Sequence, residues 1–173
     1  SMADEREKIG SVDPESSEWR FTRIPVHSGD REPTFFEFAT AMALDEFGRQ
    51  GVDWAVVETG MGGRLDAVNA VEPQASLISN VSLDHCDWLG ADIESIAFEK
   101  AGIMRAGVPT VFASSNVPET IREQAIERDA KLLLSGRDFS YAVRESGSWD
   151  WSGLRLALED LPKPGLRGAF QYE

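Results

Sequence analysis

Residues 75–134 read ASLISNVSLDHCDWLGADIESIAFEKAGIMRAGVPTVFASSNVPETIREQAIERDAKLLL, and their rhythm decides the fold. Ala75–Ser79 is a short apolar run of strand length. Asp92–Met104 carries helical spacing, with Asp92 suited to start it and Gly107 to stop it. Val108–Ala113 is a second short run, and Pro118–Asp129 a second helix with proline near its first turn. Lys131–Leu134 is a third run. Strand, helix, strand, helix, strand at this pace predicts crossover units on a parallel sheet, an α/β fold.

Upstream, Phe35, Phe38, Ala39, Met42, Ala43 and Phe47 recur near i, i+3, i+4 and i+7, which makes one apolar helix face ending at Gly51. Val52-Asp53-Trp54-Ala55-Val56-Val57 then reads as a strand buried on both faces of the parallel sheet. Downstream, Phe139–Glu145 and Leu154–Glu159, with Gly147 and Trp149-Asp150 between them, read as a small antiparallel hairpin. Residues 1–32 are polar, charged and lack apolar periodicity. They read as a mobile tail or the stub of something larger, leaving 33–173 as the folded domain. Ser1-Met2 looks like a cloning scar.

The chain has 173 residues, enough for one ordinary domain. Thirty acidic and 17 basic residues give a formal charge of −13, which disfavours both nucleic-acid phosphates and anionic membrane surfaces as partners. No apolar stretch approaches the ~20 residues of a spanning helix. A lone cysteine, Cys86, forms no internal disulfide and suits a cytoplasmic protein.

Ligands of open parallel sheets bind outside the carboxyl ends of the strands. Two polar clusters fall there. Glu58 follows Val56-Val57 and leads into Thr59-Gly60-Met61-Gly62-Gly63-Arg64-Leu65-Asp66, while Asp84-His85 follows the run ending near Ser79. Glycines 60, 62 and 63 permit positive φ and close backbone approach. The plain alternative for the loop is a tight turn with a solvated carboxylate. For His85 it is a structural imidazole, and for Lys100 a solvated charge on a helix. Thr34 and Phe36, on their own, are a helix cap and a core residue. A carboxylate and an imidazole at neighbouring strand ends could share a metal ion, Mg²⁺ being the hard-ligand choice. No G-x-x-x-x-G-K-[ST] phosphate loop occurs in the chain.

Four motifs together carry a resemblance: Thr34-Phe35-Phe36-Glu37-Phe38, Val56 through Asn69, Leu83-Asp84-His85-Cys86-Asp87-Trp88-Leu89-Gly90, and Ile96 through Ile103. In order and spacing they resemble the bifunctional dihydrofolate synthase/folylpolyglutamate synthase family of the Mur-ligase superfamily. The resemblance covers roughly residues 33–173. It implies a Mur-ligase-like central domain and an ATP-dependent carbon–nitrogen ligase of folate metabolism. In that chemistry ATP phosphorylates the carboxylate of dihydropteroate or a folyl substrate, and the amine of L-glutamate displaces phosphate to give an amide. The resemblance also implies that Glu58 and His85 hold Mg²⁺, with Lys100 carbamylated as a further oxygen ligand; His85 and Lys100 would be the catalytic pair. It places Thr34, Phe36 and Asp66 around the pterin.

The chain departs from that pattern in places. Cys86, Val68 and Phe170 stand where threonine, threonine and histidine are commoner. The family's phosphate loop, expected before residue 33, and its C-terminal domain do not occur in the 173 residues. The central domain is therefore expected to be incomplete, and this chain alone is expected not to turn over. The competing expectation is a degenerate domain that binds pterin or a protein and catalyses nothing. A peptidoglycan-precursor ligase fits poorly, because GMGGRLDA resembles the folate branch.

Overall fold

The computed structural model describes residues 11–12, 19–20, 32–83 and 89–165. The chain divides into two units, 1–60 and 61–173. In the first, β1 (Ser11–Val12) and β2 (Trp19–Arg20) form a two-stranded antiparallel ladder within the stretch expected to be a tail. The other residues of that stretch, up to Arg31, lie outside the described residues.

Helix α1 spans Phe35–Gln50. Thr34 and Glu37 close a capping box at its start, and Gly51 adopts the left-handed conformation (φ 62°) at its end. The helix thus starts and stops where capping chemistry requires. Its apolar residues Phe38, Ala39, Met42, Ala43 and Phe47 are half-buried.

Residues 52–57 differ from the sequence expectation, because they form no strand. Trp54 is 81% exposed and Val56 98%. A branched, apolar run signals a need for burial, but a strand also needs a hydrogen-bonded neighbour. Among the described residues no strand pairs with this run, and its Val52 N–H turns back to the Phe47 carbonyl at the end of α1.

The second unit holds the predicted alternation. Strands β3 (Ser76–Ile78), β4 (Pro109–Phe112) and β5 (Lys131–Leu134) form a parallel sheet in the order β3-β4-β5. Helices α2 (Ile93–Ala101) and α3 (Glu119–Glu127) are the two crossovers and pack on each other. The register lines up Ile78, Phe112 and Leu134 in one row across the strands. That row meets Ala97 and Ala101 of α2, Met104 beyond it, and Ile121 and Ala125 of α3 in a continuous core. Three alanines at the helix contacts let the backbones come close to the sheet. Leu77, on the opposite face, is 63% exposed.

Helix α2 starts at Asp92, whose carboxylate accepts the Ser95 N–H at 2.8 Å. It ends at Gly102, earlier than the expected stop near Gly107. The C-terminal portion is a three-stranded antiparallel sheet, β6 (Phe139–Val143), β7 (Trp149–Gly153) and β8 (Ala157–Leu161). Trp149-Asp150, read from the sequence as part of the connection, begins the central strand. The turn is Arg144–Ser148, closed by the Gly147 N–H on the Arg144 carbonyl at 2.9 Å. Tyr141 pairs Trp151 and Val143 pairs Trp149, so the aromatic residues that look like turn punctuation are cross-strand pairs.

Candidate functional site

The predicted site residues fall in different places. In the first unit, Thr34 is the N-cap of α1. Its hydroxyl accepts the Glu37 N–H at 3.2 Å and donates to Glu37 Oε2 at 2.8 Å, while its own N–H donates to the same oxygen at 2.7 Å. These bonds hold the Glu37 carboxyl below the usual carboxylate range, the backbone N–H of Thr34 contributing most. Phe36, the second residue of α1, is 43% exposed and packs over Gly60, with ring carbons 2.8 and 3.0 Å from where a Cβ would stand. A side chain at position 60 would displace the ring. Glu58 is exposed, two residues before that contact.

In the second unit, the loop after Gly60 is built around Asp66. Its Oδ2 accepts the Met61 N–H at 3.1 Å and its Oδ1 the Val68 N–H at 2.9 Å. It thereby caps a 3₁₀ turn, Ala67–Ala70. Asp66 thus organises the loop through both of its carboxylate oxygens.

The loop is fastened to the last turn of α2, the turn that carries Lys100. The Arg64 N–H donates to the Glu99 carbonyl at 2.9 Å. The Arg64 guanidinium forks onto the Glu99 carboxylate, with bonds of 2.9–3.2 Å, and lies 5.5 Å from the centre of the Phe98 ring. The approach is possible because two residues lack side chains. A Cβ on Gly63 would stand 2.8 Å from Ile103 Cγ2 and 3.1–3.2 Å from the carbonyls of Glu99 and Lys100, and a Cβ on Gly102 would overlap Arg64 Cα and Cβ. Of the expected set, Asp66 and Lys100 therefore belong to one hydrogen-bonded assembly.

His85, with Asp84 and Cys86, lies outside the described residues, as does Phe170. Among the described residues no group of three or more histidine, cysteine or acidic side chains is arranged to hold a metal ion. No helix among them is long and apolar enough to cross a membrane.

Two residues of the assembly carry no role in the sequence reading: Asn69, which only closes the motif Val56 to Asn69, and Arg105, which lies outside every motif. Asn69 donates through Nδ2 to the carbonyls of Arg64 at 3.2 Å and Gly102 at 3.1 Å. Arg105 donates to the Asn69 carbonyl at 2.8 Å, to Asn69 Oδ1 at 3.0 Å, and to the carbonyls of Gly102 and Met104 at 3.2 and 3.3 Å. No spacing rule links positions 69 and 105, so only the fold shows them together.

Comparison with known proteins places the chain among related sequences. The Mur ligase middle domain family matches residues 22–148. The dihydrofolate synthase/folylpolyglutamate synthase of Escherichia coli K12 is 40% identical over 144 residues, covering 83% of this chain and 34% of that protein. Among solved structures, E. coli FolC in complex with DHPP and ADP superposes with a TM-score of 0.78 at 38% identity, covering 83% of this chain and 34% of that one. The Yersinia pestis bifunctional folylpolyglutamate synthase/dihydrofolate synthase complexed with AMPPNP and Mn ion gives 0.75 at 38% identity, over 83% and 35%. The chain thus spans about a third of the length of the relatives it matches.

Proposed function

The chain belongs to the Mur ligase middle domain family, and from that premise we propose that it supplies the metal- and pterin-facing part of an ATP-dependent ligase that joins L-glutamate to dihydropteroate or folyl-glutamates. The observation that carries this reading is the fastening of the Asp66 loop to the Lys100 turn of α2 through the Arg64 N–H and the Glu99 carbonyl. It sets a hydrogen-bond acceptor for a heterocycle in the same assembly as the lysine of the expected metal site. The DHPP, ADP and AMPPNP named with the solved relatives support the substrate classes of the reading, and the Mn named with one supports a divalent metal.

The reaction is two displacements. A carboxylate oxygen of the pteroate takes the terminal phosphoryl group of ATP and ADP leaves. The glutamate amine then attacks the acyl carbon and inorganic phosphate leaves, with one proton released from the amine. Phosphoryl transfer of this kind is mostly positioning and charge neutralisation. The exposed ring of Phe36 offers an apolar face to a pterin, and the Asp66 carboxylate, an acceptor-only group, is the proposed partner of its N–H edge.

The donor chemistry fits a hard divalent ion, Mg²⁺, if Lys100 is converted. Glu58 is an exposed carboxylate, His85 an imidazole, and Lys100 an ammonium that repels a cation. Reaction of the neutral Lys100 amine with CO₂, with loss of one proton, turns it into an anionic oxygen donor. Glu58, His85 and carbamylated Lys100 would then hold the ion, whose role is to neutralise charge on the transferring phosphoryl group. The reading places the protein in the cytoplasm, where ATP and reduced folates meet.

Titration of the chain with dihydropteroate and Mg²⁺, followed by protein NMR, tests the reading. Saturable shifts centred on Thr34, Phe36 and Asp66 that weaken in Asp66→Asn support it. Silence with dihydropteroate and with tetrahydrofolate alike overturns the pterin assignment and leaves the family membership as ancestry. ADP release by the purified chain that needs both dihydropteroate and glutamate would extend the reading from binding to turnover.

A further inference from the structure

The Asn69–Arg105 pair has more hydrogen bonds than a loop anchor requires, and they converge. Arg105 reaches two atoms of Asn69, two carbonyls at the end of α2, and Glu72 Oε2 at 3.1 Å. Its side chain is only 22% exposed, whereas that of Glu72 is 80% exposed. The ion pair is therefore the weakest of these links, and the carbonyl bonds dominate. Asn69 uses both Nδ2 protons and its Oδ1, so its side chain is held in one orientation between Arg64 and Gly102. The Asn69 N–H in turn donates to the Asp66 carbonyl at 3.0 Å. One continuous chain of bonds runs from Asp66 through Asn69 to Gly102, two residues past Lys100, and Arg105 braces it from behind.

We infer that Asn69 and Arg105 are positioning residues that hold the Asp66 carboxylate and the Lys100 turn of α2 at a fixed spacing. A lysine at 105 keeps the charge but cannot fork across four carbonyl and amide oxygens, because it is a point donor on a flexible stem. Alanine at 69 removes the middle of the relay. In Asn69→Ala the Arg64–Glu99 bonds become the main hydrogen-bonded link between loop and α2, while Arg105→Lys leaves the Asn69–Gly102 bond without its brace. The cost falls on where Asp66 points, while the core row Ile78-Phe112-Leu134 is untouched.

The inference rests on the pterin reading only for its ligand arm. The test is amide hydrogen exchange on the whole chain, wild type against Arg105→Lys and Asn69→Ala, followed by titration with dihydropteroate and Mg²⁺. Two amides report directly, those of Met61 and Val68, because both donate to Asp66. Their exchange should quicken by about tenfold or more in both variants, while Thr110 and Val111 of β4 keep wild-type rates. The dissociation constant for dihydropteroate should rise about tenfold, the scale on which loss of a supporting hydrogen-bond shell acts. Glu72→Gln, which removes only the exposed ion pair, should change none of these.

Unchanged Met61 and Val68 rates would overturn the inference. So would equal loss of protection in the loop and in β4, which marks a role in folding alone, and so would a loosened loop with unaltered dihydropteroate affinity. If Arg105→Lys does not fold, Asn69→Ala decides the matter by the same readings. A wild-type chain that binds no dihydropteroate, with loop and β4 amides behaving as expected, leaves the positioning role standing and removes the pterin assignment instead.

Discussion

Replacing Thr110 by valine should stabilise the protein. Thr110 lies in the middle of β4 and is fully buried. Its hydroxyl oxygen has no hydrogen-bond partner among the described residues. An unsatisfied buried hydroxyl costs about 1–3 kcal/mol of desolvation that nothing offsets. Valine has nearly the same shape, suits a strand equally well, and replaces the hydroxyl by a methyl group. Some of the gain is lost because a methyl is slightly larger than a hydroxyl in a close-packed row. The net expectation is about 1 kcal/mol of added stability, or roughly 2–4 °C in Tm for a protein of this size. Thr110→Ser is the informative opposite, since it keeps the unsatisfied hydroxyl and removes the methyl. It should destabilise by about 0.8 kcal/mol for the lost methyl plus a cavity contribution. Urea unfolding of the three proteins reads both effects, with an unchanged m-value showing that the denatured state is the same. A valine variant less stable than wild type, beside a serine variant that holds its stability, would show that the hydroxyl is bonded, for example to an enclosed water, and would refute the reasoning.

Gly102→Ala should cost about 1–3 kcal/mol, since its backbone is helical and the penalty is purely the overlap with Arg64; equal urea midpoints for variant and wild type would show that the loop moves away freely. The Asp92 carboxyl is held below its usual value of 3.8, chiefly by the Ser95 N–H and then by the Ser95 hydroxyl. Because the folded form is the more acidic, this cap's contribution is present above the ordinary value of 3.8 and is lost as pH falls through the lower folded value. Asp92→Asn keeps the cap and removes the titration, so its stability should fall less than wild type between pH 6 and pH 3, as read by urea midpoints at each pH. The mass spectrum of the native chain in bicarbonate should show an adduct of one CO₂ that Lys100→Arg abolishes; an adduct that survives the substitution lies on another amine.

The fold was legible where local signals and the tertiary environment agree. Helix α1 begins at Thr34 and stops at Gly51 because capping and left-handed backbone are local matters, written within a few residues. The alternation from β3 to β5 is legible because each crossover must bury one helix face on one sheet face, and that imposes two periods on the sequence in turn. Residues 52–57 fail for the complementary reason. Apolar, branched side chains report how much a segment wants burial, but strand formation is decided by whether another chain segment offers its amides. Trp149-Asp150 fails by a subtler route, since glycine and serine at 146–148 and aromatic residues beside them look alike in punctuation. Only the pairing of Trp149 with Val143 and of Trp151 with Tyr141 shows where the turn stops and the strand begins.

The sequence singles out candidate site residues but not the residues that support them. Glu58, Asp66 and Lys100 stand out in the sequence because a carboxylate closing an apolar run, one in a glycine-rich loop and a lysine in a shared motif are each unusual for a packed domain. Asn69 and Arg105 do not stand out, because an asparagine and an arginine 36 residues apart are ordinary surface residues until a backbone brings them together. The glycines show the same asymmetry. The sequence marks glycines 60, 62 and 63 as places where backbone can come close, yet the tightest approach in the loop, Gly63 and Gly102 against α2 and Arg64, needs one glycine from each of two segments. A sequence pattern can announce that room has been made, but what fills it is a property of the second segment. The hypothesis of a spaced Asp66 and Lys100 therefore depends on Asn69, which closes a motif without a stated role, and on Arg105, which lies outside every motif. Their substitution tests whether the loop is held as a platform or is simply a well-fastened turn.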